Sequence, residues 1–167
     1  MDKSEAPCGG KGKEDRVYLS AKNKAYRMLT YRDRSSHEIM AKLIEKEFPE
    51  DVIAVVISDL KALGVLNDKR FAEQWIRYQV ENRNLGPFRL QCELRKKGFS
   101  VPEVNRLLEE LSEDWEQMAR RALLKRYKAL IQLQDLRLRR QAFSFLQRKG
   151  FDAETILTVF RNSDCAG

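Results

Sequence analysis

The chain has 167 residues, a formal net charge of +7 and three cysteines, Cys8, Cys92 and Cys165. That length suits one compact domain or a short array. An odd cysteine count without a Cys-x-x-Cys pair gives no disulfide framework or zinc site, and no signal-length or membrane-spanning apolar run occurs, so a soluble cytoplasmic protein that makes no membrane contact is expected.

Residues 1–20 are polar, Gly-rich and without periodicity, and are expected to form a disordered arm. Gly12-Lys13 superficially resembles a phosphate loop, but Glu14 stands where Ser or Thr is needed and no strand precedes it. A first helix is expected from about Ala21 to Tyr31, with Ala25, Tyr26, Met28 and Leu29 inward. Ser35-Ser-His-Glu38 reads as a capping box that opens a second helix carrying Ile39, Leu43 and Ile44 on one face. Val52-Ile-Ala-Val-Val-Ile57 has strand propensity by itself. Its flanks decide for a buried helix: Pro49 suits the first turn, Gly64 the exit, and Leu60 and Leu63 extend a helical stripe.

The same grammar recurs. Asn67 or Asp68 caps a helix with Phe71/Ala72, Trp75/Ile76 and Gln79/Val80 inward. Gly86-Pro87 starts the next, with Leu90 and Leu94 inward and Gly98 closing it. Ser100-Val-Pro-Glu103 is a second capping box, followed by Val104, Leu107, Leu108 and Leu111 at helical spacing. The last third repeats the plan with Trp115, Met118/Ala119, Ala122/Leu123 and Tyr127, then Leu138, Ala142 and Phe145/Leu146, then Ile156, Val159 and Phe160 after Asp152.

Leu94-x-x-Lys97-Gly98-Phe99 has a close copy at Leu146-x-x-Lys149-Gly150-Phe151 and a looser one at Leu43-x-x-Lys46-Glu47-Phe48. Self-similarity at a fixed period marks an array of one supersecondary unit. The expected fold is therefore all-α: three tandem three-helix repeats (21–66, 67–113 and 114–163) in an elongated, curved array, with each repeat resting on its neighbour. Gly98 and Gly150 fit left-handed helix stops onto which the next Phe packs. Glu47 takes that place in the first repeat, so its corner should be strained or built differently. The aromatic residues Phe71, Trp75, Trp115 and Phe145 fall on the apolar period and are expected in the core. Glu93 and Lys97, four apart, can pair on a helix surface.

Charge is unevenly laid down. Residues 69–98 hold eight Lys/Arg against three Glu, and residues 115–150 hold ten against two acids. Residues 99–114 hold one base against five acids, and residues 25–68 six against eight. Basic blocks alternating with acidic ones indicate a polyanionic or acidic partner. Catalysis finds little support. His37 is the only histidine and sits in a capping box, Cys92 lies between inward leucines with no His nearby, and no ligand cluster has metal spacing. No catalytic residue, metal or cofactor is expected. A helix-turn-helix repressor needs Arg, Lys, Asn or Gln on its recognition helix. The third helices instead carry Glu50, Asp51 and Asp59, then Glu103, Glu109 and Glu110. Two alternatives stand beside partner regulation: a DNA-binding, helix-turn-helix-like repressor, which these acidic helices fit poorly, and a non-catalytic helical scaffold for some other acidic partner.

These residues resemble the RecX family, regulators of the RecA recombinase, over about residues 25–160. The likeness rests on Ser35-x-x-Glu38-Ile39-x-x-Lys42-Leu43, on Gly64-Val-Leu-Asn-Asp-x-Arg70-Phe71-Ala72, and on Gly86-Pro87-x-Arg89-Leu90-x-x-Glu93-Leu94-x-x-Lys97-Gly98. Phe145-Leu146-x-x-Lys149-Gly150-Phe151 completes it. One departure is Asn82-Arg83-Asn84-Leu85, which replaces the glycine-containing turn usual in the family and leaves the angle between its two helices open. The resemblance implies a protein that binds along the groove of the RecA–DNA filament and, as is usual in the family, suppresses its ATPase, strand-exchange and coprotease activities; a monomer is expected. Weak, sequence-indifferent binding to bare DNA is also expected. Arg77, Arg83, Arg89, Arg95 and Lys96, with Arg120, Arg121, Lys125, Arg137, Arg140 and Arg148, lie mostly off the apolar stripes and are the expected contacts for filament or nucleic acid.

Overall fold

The computed structural model describes residues 11–111, 114–127 and 135–164. Among them are nine helices and no strand: α1 (Lys11–Tyr31), α2 (Ser36–Ile44), α3 (Glu50–Ala62), α4 (Asp68–Arg83), α5 (Pro87–Lys96), α6 (Val101–Glu110), α7 (Trp115–Tyr127), α8 (Leu136–Lys149) and α9 (Ala153–Asp164). The chain divides after Phe71 into two compact units. In the first, α1, α2 and α3 pack against one another. In the second, α5 packs on α6, and α7, α8 and α9 pack together.

The apolar periodicity places the core. Ala21 and Ala25 of α1, Ile39 and Leu43 of α2, and Ile53, Val56, Ile57 and Leu60 of α3 close the first core, with Leu66. The segment 52–57 is thus helical: its β-branched residues fall on two turns of a helix whose flanks, Pro49 as N-cap and the left-handed Gly64 (φ 68°), stop it on both sides. The second core is continuous from α4 to α9, built on Ala72, Ile76, Val80, Leu90, Leu94, Val104, Leu123, Leu146 and Ile156. Burying each Val, Leu or Ile side chain among them contributes about 1.5–3 kcal/mol. Ile44, expected inward, is exposed on α2. Phe71 is buried, whereas Trp75, Trp115 and Phe145 are half-buried at the core's edge.

Residues 11–20 differ from the expected arm: α1 begins at Lys11, ten residues before Ala21. The reason lies in α3. Tyr18 donates its hydroxyl to Asp59, and Lys22 donates to Tyr18 Oη at 2.6 Å and pairs with Asp59 at 3.4 Å. A polar segment without an apolar stripe is held to the unit by this cluster. The same segment disposes of the phosphate-loop likeness, since Gly12 and Lys13 are helical. The expectation for residues 1–10 lies outside the described residues, as do Cys8 and Cys165.

Both capping boxes form. Ser35 Oγ accepts from Glu38 N at 3.2 Å while Ser35 N donates to Glu38 Oε2 at 3.2 Å, and Ser100 and Glu103 repeat the exchange. The three corners after the second helices share one hydrogen-bond plan. Phe48 N donates to Leu43 O, Phe99 N to Leu94 O and Phe151 N to Leu146 O, each at 3.2 Å, which is the outer bond of a Schellman motif. Gly98 (φ 92°) and Gly150 (φ 94°) supply the left-handed residue, and Glu47 is forced into it at φ 59°. The first corner is therefore strained rather than built differently.

Candidate partner and nucleic-acid interface

In the second unit one corner is pressed into another segment of chain. The link after α4 reaches α5 through Asn84, a non-glycine residue at φ 47°, then buried Leu85 and Gly86. Asparagine tolerates the left-handed region, so Asn84 does what a glycine would in that turn. Gly86 N then donates to Lys149 O at 2.8 Å, and Phe88 N to Gly150 O at 3.1 Å. A Cβ on Gly86 would lie 2.5 Å from the Gly150 carbonyl carbon, and one on Gly150 would lie 2.3 Å from Arg89 N. Backbone meets backbone here because neither residue has a side chain.

This contact carries Lys149 to the end of α4, where its Nζ donates to Arg83 O at 2.6 Å. A cavity of about 340 Å³ opens there, lined by Asn82, Arg83 and Asn84, by Ala122, Lys125 and Arg126 of α7, and by Phe145 and Lys149 of α8. A neighbouring cavity of about 460 Å³ shares Arg126 and is lined by Tyr127, Arg140, Gln141, Ser144 and Arg148. No carboxylate is among the lining residues of either. Burial, then the charges of Lys125 and Arg83, push the Lys149 ammonium pKa below its ordinary value. The Arg126 guanidinium lies 5.0 Å from the Phe145 ring centre and 5.7 Å from that of Tyr127. The two rings meet edge to face at 6.2 Å.

Of the residues singled out by sequence, Arg83, Lys125, Arg140 and Arg148 are brought to this pair of cavities. Arg77, Arg95 and Arg137 are exposed but line neither. Arg89 pairs with Glu93 at 3.0 Å, and Lys96 approaches the same carboxylate at 3.7 Å. Lys97, the expected partner of Glu93, also lies over the Trp75 ring at 5.8 Å. Arg121 donates to Gln117 at 2.9 Å, and Arg120 lines a separate cavity beside Asp114 and Glu116. Sequence reasoning misses Arg126 and Lys149. Arg126 sits in the basic block directly after Lys125, and Lys149 belongs to the Lys-Gly-Phe corner, where reading a helix stop hides the charge.

The first unit has a basic cavity of its own, lined by Ser20, Asn23, Lys24, Arg27, Lys46 and Phe48. Its Lys46 holds the corner position that Lys149 holds in the last repeat. Elsewhere in this unit charge is spent internally. Asp68 accepts from Ser36 N at 2.7 Å and from Ser36 Oγ at 2.6 Å, and it pairs with Lys61 at 3.0 Å. Burial alone would raise the Asp68 pKa, but the Ser36 bonds and Lys61 outweigh it and hold it below the usual range. Cys92 is exposed, and among the described residues no group of His, Cys, Asp and Glu could hold a metal ion. No described helix is long and apolar enough to cross a membrane.

Comparison with known proteins agrees with this architecture. The first, second and third three-helix domains of RecX match residues 21–60, 67–106 and 112–160. A regulatory protein RecX of Halorhodospira halophila is 32% identical over 145 residues, covering 87% of this chain and 89% of its own. One of Chromohalobacter salexigens is 33% identical over 132 residues, covering 79% of this chain and 85% of its own. The crystal structure of RecX from Lactobacillus salivarius superposes with a TM-score of 0.77 at 25% identity, covering 90% of this chain and 99% of that one. With three-helix domains matched over most of its length, and a relative alike over most of both chains, the chain belongs to the RecX family.

Proposed function

We propose that the protein regulates the RecA recombinase by binding along the groove of the RecA–DNA filament, lowering its ATPase, strand-exchange and coprotease activities. The observation that carries this reading is the paired basic cavities of the second unit, where cations from α4, α7 and α8 converge with no carboxylate among the lining residues. Such a surface attracts a polyanion and speeds encounter with it. It sits on the RecX scaffold, whose relatives are named regulatory proteins. The role is binding rather than catalysis.

The acidic third helices argue against operator reading. Glu50, Asp51, Glu103, Glu109 and Glu110 are exposed on α3 and α6, where a recognition helix would present donors to base edges. The test is a titration of the protein into a RecA–single-stranded-DNA ATPase assay. Inhibition well below one protein per RecA is the expected result; an unchanged rate at equimolar protein would overturn it.

A further inference from the structure

The two basic cavities of the second unit have one residue in common, Arg126. On one side of it stand Arg83, Lys125 and Lys149, and on the other Arg140 and Arg148. Like charges gathered in this way repel, and Lys149 records the repulsion: after burial, Lys125 and Arg83 are what lower its pKa. A bound anion would relieve that strain. A small anion needs only one of the cavities, whereas cations on both sides of Arg126 suit a polyanion that crosses it.

The rings indicate which polyanion. Phe145 lines the first cavity and Tyr127 the second, both half-buried. A basic groove with aromatic surface beside it is how proteins hold single strands, whose unpaired bases stack on rings while the backbone follows the charge. An acidic polypeptide would gain little from the rings, and a base-paired duplex has no free base faces to offer them. We infer that the two cavities form one track for the phosphodiester backbone of single-stranded nucleic acid, crossing at Arg126. This rests on the proposed function and names the component of the filament that this face meets: the strand, not an acidic wall of protein.

The test uses the full chain without recombinase. A fluorescent oligo-dT is titrated across a salt series, with a duplex of equal length, inorganic polyphosphate and poly-glutamate as the other arms. Oligo-dT should bind tightest. Lys125→Gln with Arg140→Gln should weaken it at least about tenfold at low salt and flatten the log–log salt slope by about 1.4, two phosphate contacts at about 0.7 each on a single strand. Arg32→Gln with Lys42→Gln, first-unit cations already paired with Glu38 and Glu45, should change neither. In the parent chain, NMR titration of Lys149 Nζ should show its pKa rising when oligo-dT is added. Tighter binding of polyphosphate or poly-glutamate, a preference for duplex, or a Lys149 pKa unmoved by saturating oligo-dT would each overturn the track. If the Lys125/Arg140 variant binds oligo-dT like the parent but fails to inhibit the recombinase, the track is wrong and the proposed function stands. If the parent shows the expected strand binding but leaves the recombinase unaffected, the proposed function is wrong and the track stands.

Discussion

The corner at Glu47 in the first unit and the corner at Gly150 in the second have the same backbone bonds, yet only one of them needs glycine for space. Each ends its helix with a left-handed residue and a backbone hydrogen bond donated by the N–H of the following Phe. Glu47 is exposed, so its side chain costs only the conformational penalty. Gly150 is buried against Arg89, and there a Cβ has nowhere to go. One motif therefore does two jobs: it stops a helix in the first unit, and in the second it also locks α8 to the link before α5 and delivers Lys149 to the basic cavity.

Gly150→Ala should separate the two corners most strongly. Overpacking costs about 1–3 kcal/mol and the left-handed backbone adds about 1, so thermal or urea unfolding should show a loss of about 3 kcal/mol. A loss under about 1 kcal/mol would mean the backbone contact is slack. Gly86→Ala should come next, at about 2 kcal/mol, because its φ of −82° suits alanine and only the 2.5 Å approach to Gly150 opposes it. Glu47→Gly should go the other way. Relief of the strained backbone, less the added freedom of the unfolded chain, should stabilise the first unit by up to about 1 kcal/mol. Destabilisation would show that the Glu47 side chain holds the corner in some other way.

A smaller effect separates the units by pH. Asp68 has its pKa lowered on folding, so the stability from its Ser36 and Lys61 contacts is present above the ordinary Asp value of about 4. It is lost as pH falls through the lower folded value. The protection of α2 amides against exchange, relative to their unfolded rates, should therefore fall on acidification below about pH 4, and Asp68→Asn should remove part of that dependence while leaving α7 unchanged. An α2 response identical in parent and variant would remove Asp68 from the account.

Periodicity made the helices legible, since Val104 and Leu107 or Ile156 and Val159 can share a face only in a helix. The capping boxes were legible because Ser and Glu three apart form a closed local motif. What the sequence hid was long-range. Nothing around Tyr18 announces Asp59 as its partner, so the early start of α1 had no local signal. Asn84 stood where a glycine turn is usual, and only its φ of 47° shows that it makes the same turn. The candidate site was half visible for the same reason. Basic blocks mark α4, α5, α7 and α8, but only the meeting of Gly86 and Gly150 selects Arg83 and Lys149 from the rest and leaves Arg89 to Glu93.

On the function proposed above, the protein meets the RecA–DNA filament with the basic face of α7 and α8 and not with the acidic helices α3 and α6. Hydrogen exchange of the full chain, with and without RecA filament formed on single-stranded DNA, tests this most directly. Slowed exchange is expected in Trp115–Tyr127 and Leu136–Lys149, with Glu50–Ala62 and Val101–Glu110 unchanged. Protection confined to those two acidic helices would contradict it.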